Sequence, residues 1–120
     1  MKKKTLVMGA SLKTQRYSNI AIHRLKNYAH NVVAFGLKPG EVNTVTIDTK
    51  LMPYKDIDTV TLYLNSTRQK EYYTYIISLN PKRVIFNPGT ENPEFYTLLQ
   101  ENTIEFEVAC TLVLLATHQY

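Results

Sequence analysis

Thr5-Leu6-Val7-Met8-Gly9 decides how the rest of this chain reads. A short continuous run of this kind, without polar alternation, suits a strand covered on both faces, as strands of a parallel sheet are. Gly9 ends the run, and a polar loop over residues 10–18 leads into a helical pattern with Ala21, Leu25, Tyr28 and Ala29 on one stripe. Val32-Val33-Ala34-Phe35 then repeats the first signature, a second short buried strand, closed this time by Gly36.

Outward from this strand-helix-strand unit the alternation continues. Residues 59–64 form a third strand, and Ser66 and Gln69 stand at capping-box spacing before a helix with the apolar stripe Tyr72, Ile76 and Leu79. Asn80-Pro81 stops that helix. Arg83-Val84-Ile85-Phe86 is another buried strand, ended by Asn87-Pro88-Gly89, and Asn92-Pro93 supplies an N-cap and a first-turn proline ahead of Phe95, Leu98 and Leu99. Residues 104–108 alternate like an edge strand, and residues 111–117 read as a last helix. Between residues 37 and 58 the pattern is fainter: Val45-Thr46-Ile47 is a short edge strand flanked by Pro39-Gly40 and Pro53. Its link to the second strand is too short for a helical crossover, which leaves its direction open.

The expected fold is a three-layer, doubly wound, mostly parallel α/β sheet of Rossmann-like type, with helices on both faces, as one domain over residues 1–120. Right-handed crossovers put the first strand at the centre. A ligand then belongs outside the carboxyl ends of the strands, in the crevice between the first strand and the strand over residues 59–64.

Composition narrows the partners. The hydrophobic content of 44% and charged content of 20% are those of a globular protein. Most of the net charge of +4 comes from Lys2, Lys3 and Lys4, a solvated end, and no ladder of Lys or Arg runs among Tyr63, Tyr72, Tyr73 and Tyr75. Nucleic acid is therefore not an expected partner. Cys110 is alone, which excludes an internal disulfide and suits a reducing compartment. No signal peptide is visible, and no apolar run approaches the ~20 residues of a membrane span. The expected setting is a soluble cytoplasmic one, bacterial or organellar, without membrane contact; a partner protein or self-assembly stays open.

The loop after the first strand carries the chemistry. Gly9 lets the backbone turn sharply, and Ala10, Ser11, Thr14, Tyr17, Ser18 and the first helical amides offer donors to phosphate oxygens, with Arg16 adding its guanidinium fork. The competing structural reading is that Ser18 or Asn19 merely caps the helix and Arg16 is solvated. The dinucleotide fingerprint G-x-G-x-x-G is incomplete, since Gly9 alone of its glycines is present, and no acid stands at the end of the second strand to take a ribose 2′-hydroxyl. Gly36-Leu37-Lys38 stands there instead. A lysine suits a phosphorylated ribose, as in coenzyme A or NADP, and disfavours plain NAD. Catalytic and metal constellations are thin. Cys110 is expected to be a small core residue, His23, His30 and His118 ordinary surface histidines, and no metal-ligand spacing occurs.

Gly9-Ala10-Ser11 with Arg16-Tyr17-Ser18, the stretch N-P-G-T-E-N from Asn87, and C-T-L-V-L-L-A-T from Cys110 together resemble the small stand-alone CoA-binding domain proteins, relatives of the CoA-binding domain in the succinyl-CoA synthetase alpha subunit. The resemblance covers essentially the whole chain in element order. It implies coenzyme A across the carboxyl edge of the sheet, its pyrophosphate against residues 11–18 and Arg16, its 3′-phosphate near Lys38, and Asn65, Ser66, Asn87 and Pro88 lining the rest. Many relatives carry Asn-Pro after the second strand where this chain has Gly36-Leu37. The catalytic histidine of the synthetase lies in another domain and has no counterpart here, so the resemblance implies binding rather than a reaction. The alternatives are an NADP-binding protein, an acyl-CoA enzyme with Cys110 as nucleophile, and an interaction module that kept the fold without the ligand.

Overall fold

The computed structural model describes residues 2–120. Its strands are β1 (Thr5–Met8), β2 (Val32–Phe35), β3 (Gly40–Val42), β4 (Val45–Asp48), β5 (Thr59–Leu62), β6 (Arg83–Phe86) and β7 (Glu105–Val108). They form a 7-stranded sheet in the order β3-β4-β2-β1-β5-β6-β7. The helices are α1 (Tyr17–Asn27), α2 (Ser66–Gln69), α3 (Tyr73–Ser78), α4 (Pro93–Glu101) and α5 (Thr111–Ala116), with a 3-10 turn at Lys70–Tyr72 joining α2 to α3.

β1 lies in the interior of the sheet, parallel to both β2 and β5, with Leu6 facing Val33 and Val60 across the two ladders. From β1 the chain winds one way through α1 to β2, and from β5 it winds the other way through α2–α3 and α4 to β6 and β7. Right-handed crossovers in opposite directions place those helices on opposite faces. Val7, Ile22, Leu25, Ala34, Ile47 and Leu115 pack on the α1–α5 face, whereas Leu6, Met8, Leu62, Ile76, Phe86, Phe95 and Leu99 pack on the other. This is the expected three-layer, Rossmann-like arrangement, and every residue of β1, β5 and β6 is buried.

The faint region resolves into a hairpin. β4 runs parallel to β2, but the chain reaches it by first descending the outer strand β3, antiparallel to β4. Asn43 and Thr44, with φ of 47° and 68°, make the tight turn between them, the left-handed pair that a two-residue hairpin needs. An extra strand thus does the work of a crossover helix, and Gly40 is the first residue of β3 rather than part of a flanking turn. Tyr54 donates to the Asp48 carboxylate, tying the segment that returns to β5 to the end of β4.

Other local expectations shift by a residue or two. Asn65, not Ser66, caps α2, its Oδ1 accepting from the Arg68 amide at 2.9 Å. The strand before it ends at Leu62 because Tyr63 and Leu64 turn into the loop. Gln69 is no capping-box partner: fully buried, its amide donates to the carbonyls of Leu64 and Thr90 and accepts from Asn92. On α1 Ile22 is a core residue, whereas Ala29 is exposed and ends the helix at φ 63°. Ala29, Asn80, Thr103 and His118 all take this left-handed position after helices, where glycine is the usual residue.

Candidate functional site

A cleft of about 710 Å3 opens along the carboxyl edge of the central strands. Two glycines let its walls come together. The amides of Gly9 and Ala10 both donate to the Phe35 carbonyl, at 2.9 and 2.8 Å, which draws the end of β1 against the end of β2. Gly9 has φ 97°, and a Cβ there would lie 3.1 Å from the Tyr63 carbonyl carbon. A Cβ on Gly36 would lie only 2.4 Å from the Ala10 carbonyl oxygen. Side chains at these places would push the β1, β2 and β5 loops apart.

The loop between β1 and α1 is held open in a defined shape. Buried Asn19 donates to the Ser11 carbonyl at 2.9 Å, and Ser11 Oγ accepts from the Lys13 amide at 3.1 Å. Arg16 is the N-cap residue of α1, and its side chain caps nothing. Neither Ser18 nor Asn19 supplies the cap, but Arg16 is exposed, as the competing structural reading expects. The amides of Tyr17 and Ser18 find no acceptor among the described residues. The first turn holds no acid, so these N–H groups and the positive end of the helix face the cleft region uncompensated.

Lys13, Arg16, Lys38 and Arg68 line the cleft, and no Asp or Glu does. Among the described residues the ion pair is Arg83 with Glu107, at 3.4 Å, where β6 and β7 run side by side. The cleft cations are therefore unpaired within the protein, and their fields add at one opening. Beneath them lie Phe35, Leu64 and Tyr72, with the Phe35 and Tyr72 rings edge to face at 5.4 Å. Tyr63 forms part of the wall, and burial pushes the pKa of its hydroxyl up to about 12.

Of the residues singled out from the sequence, Gly9, Ala10, Ser11, Arg16, Tyr17, Ser18, Lys38, Asn65 and Pro88 line the cleft. Three stand off it. Thr14 and Ser66 are exposed elsewhere on their loops. Asn87 is buried, its amide donating to Thr61 Oγ1 and the Leu62 carbonyl and accepting from the Thr111 amide. Its hydrogen-bonding capacity is used in joining β5, β6 and α5, and it positions the loop that carries Pro88. The sequence pattern directs the loop that holds Arg68 into the crevice but assigns no binding role to Arg68 or Tyr72, and it offers Asn19 only as a cap. The first two are four residues apart, the spacing that puts side chains on one helical face, and that signal was available. Asn19 gave none, since its role depends on a carbonyl in a folded loop.

Cys110 is partly buried at the start of α5, beyond the edge strand β7, and is not part of the cleft wall. His23 and His118 are exposed as expected, but His30 is not an ordinary surface residue. Its Nδ1 accepts from the Lys3 amide at 2.9 Å, and burial, with Lys2 and Lys3 nearby, holds its pKa below the usual value. No metal-ligating cluster occurs among the described residues, and no helix is long and apolar enough to cross a membrane.

A family model described as a CoA binding domain matches residues 3–116. The chain belongs to the CoA-binding domain family. Solved structures agree with the family's fold. An uncharacterised protein 48% identical matches with a TM-score of 0.98, covering 100% of this chain and 99% of its own. A hypothetical protein from Pyrococcus horikoshii OT3, 28% identical, matches with a TM-score of 0.83 over 93% of this chain and 80% of its own. A protein from Thermus thermophilus known as cell-free ID.343 shares the fold at 19% identity, with a TM-score of 0.86 over 99% of this chain and 91% of its own. Among curated proteins none matches this chain.

Proposed function

We propose that this protein binds coenzyme A in the cleft and acts as a binding module rather than as a catalyst. The observation that carries this reading is the concentration of Lys13, Arg16, Lys38 and Arg68, without a single acidic residue, around an opening bordered by the unbonded amides of Tyr17 and Ser18. Membership of the CoA-binding domain family supports the same ligand. The pyrophosphate belongs at the β1–α1 loop, where helix amides and Arg16 converge, and the 3′-phosphate belongs with Lys38 after β2. The cleft volume of about 710 Å3 falls within the range of roughly 300–1,000 Å3 usual for small-molecule sites. No His, Cys, Asp or Glu lines it, which favours holding a ligand over general acid–base or thiol chemistry.

Calorimetric titration with coenzyme A, dephospho-CoA and NADP tests this. Saturable binding of coenzyme A is expected, weaker for dephospho-CoA, with the gap between them closed in Lys38→Gln and both weakened in Arg16→Gln. Absence of coenzyme A binding, or tighter binding of NADP, refutes the assignment. Failure of Lys38→Gln to close the gap refutes the orientation.

A further inference from the structure

We infer that the free edge of β7 pairs antiparallel with the same edge of a second copy of this chain, joining two sheets across a two-fold axis at Glu107. The inference is independent of what binds in the cleft.

The sheet ends at β3 on one side and at β7 on the other. β3 is 3 residues long, follows Pro39 and turns straight back at Asn43 and Thr44, a short edge that gives a neighbour little to pair with. β7 has no such shield. It contains neither proline nor lysine, and Glu105, Glu107 and Val108 are all exposed, Val108 by 53%. With one edge blocked and one open, self-pairing closes as a dimer and does not propagate.

The backbone sets the register. The Ala109 amide donates inward to the Phe86 carbonyl at 3.1 Å, and β7 lies parallel to β6 with Val108 beside Phe86. Alternation along the strand then turns the backbone groups of Glu105 and Glu107 toward β6 and those of Phe106 and Val108 outward. An antiparallel copy centred on Glu107 sets Phe106 opposite the partner's Val108, and Val108 opposite the partner's Phe106. Each opposed pair can exchange both of its N–H···O=C bonds, as the hydrogen-bonded pairs of an antiparallel ladder do.

The side chains agree with that register. Phe106 and Val108 share the face toward α4, where Phe106 stacks on Tyr96 at 4.4 Å. The seam therefore gains aromatic–β-branched pairs, and Val108 is covered. On the other face Glu107 meets its own copy, but each carboxylate is held by Arg83 at 3.4 Å, which compensates the charge. Other registers do worse. Centring on Phe106 sets Glu105 directly against the partner's Glu107, like charge against like charge. Centring on Val108 sets Phe106 against the partner's Cys110, where the strand has ended and α5 begins. An antiparallel seam also sends the two carboxyl edges to opposite ends of the joint sheet, and no residue of β7 lines the cleft, so both clefts stay open.

Sedimentation equilibrium of the whole protein over a range of concentrations tests the assembly. A species of twice the chain mass is expected as concentration rises, with and without coenzyme A. Val108→Lys puts a charge into the seam, and Val108→Pro removes an outward N–H while leaving the Ala109 bond to Phe86; both should stay monomeric with an unchanged circular dichroism spectrum. Cross-linking reads the register. In a Cys110→Ser protein, Glu107→Cys should form an intermolecular disulfide on oxidation with diamide, because residues facing each other at the axis lie about 4.5 Å apart between Cα atoms. Glu105→Cys should not, because its copy lies four residues along the seam, about 14 Å away. A protein that is monomeric at every concentration overturns the inference, as does a dimer that survives in both Val108 variants. If those variants fail to fold, the cross-linking pair decides: disulfides that form as readily at position 105 as at 107, or at neither, overturn it.

Discussion

Replacing Gly36 with alanine adds a single methyl group at the point where the β1 and β2 loops touch. Gly36 does not occupy the left-handed region, so an alanine backbone fits and the cost is purely one of space. The new Cβ would meet the Ala10 carbonyl oxygen at 2.4 Å and Ile47 Cγ2 at 3.1 Å. A carbonyl oxygen is backbone and cannot swing aside as a side chain can. The Ala10 amide is moreover tied to the Phe35 carbonyl, next to Gly36 itself. The clash has to be relieved by opening the loops, at the upper end of the range for overpacking, about 3 kcal/mol. For a chain of this length that corresponds to a fall in melting temperature of about 10 °C. Coenzyme A affinity should fall as well, because the displaced loop carries Ser11 and leads to Arg16. Gly89→Ala is the informative control. Nothing lies within 4 Å of its added Cβ, but its φ of 91° strains any L side chain, so it should cost only about 1 kcal/mol. Thermal unfolding followed by circular dichroism, with calorimetric titration of each variant, measures both quantities. A Gly36→Ala protein that melts with the wild type, or no lower than Gly89→Ala, refutes the claim that close loop approach builds the cleft.

Other outcomes follow from single features. Thr103 ends α4 at φ 60°, with the amides of Thr103 and Ile104 bonded back to Gln100 and Leu99, and it is exposed. Thr103→Gly should therefore raise stability by about 1 kcal/mol, read as a higher denaturation midpoint in urea, whereas a lower midpoint would show that this helix end carries no strain. His30 has its pKa lowered from 6.5 in the folded state, so the unfolded chain takes up the proton first as pH falls. Its contribution is complete above about pH 6.5 and is lost as pH drops through the lower folded value, so stability should decline there and the decline should be shallower in His30→Gln. Equal slopes for the two proteins would show that another group governs the acid limb.

Much of the candidate site could be read before the fold was seen, for a definite reason. In a doubly wound sheet the carboxyl ends of the strands are marked by where apolar runs stop, and Gly9, Gly36 and Asn87 each stand just after such a stop. The residues that follow then face the crevice, which makes Ser11, Arg16 and Lys38 legible by position, whereas Asn65, Ser66, Asn87 and Pro88 are implied by the family resemblance. The errors have one origin. The resemblance implies a lining role for Asn87, but its amide is consumed by Thr61, Leu62 and Thr111, which come from β5 and α5. Gln69 looked like a local cap and instead links α2 to the loop before α4. A polar side chain in sequence shows what it can bond, not what folding brings to it.

The central place of β1, the buried character of β1, β5 and β6, and the edge that bears the loops follow from periodicity, punctuation and the handedness of crossovers, because burial on two faces leaves a mark on a short strand. The direction of β4 did not, since it depends on the hairpin at Asn43-Thr44, where neither residue is the glycine that announces such turns. Nor did the helix ends at Ala29, Thr103 and His118, or the approach of Gly36 to Ala10. Those are set by distances between residues remote in the chain, and local pattern holds no information about distances that exist only once the layers have packed.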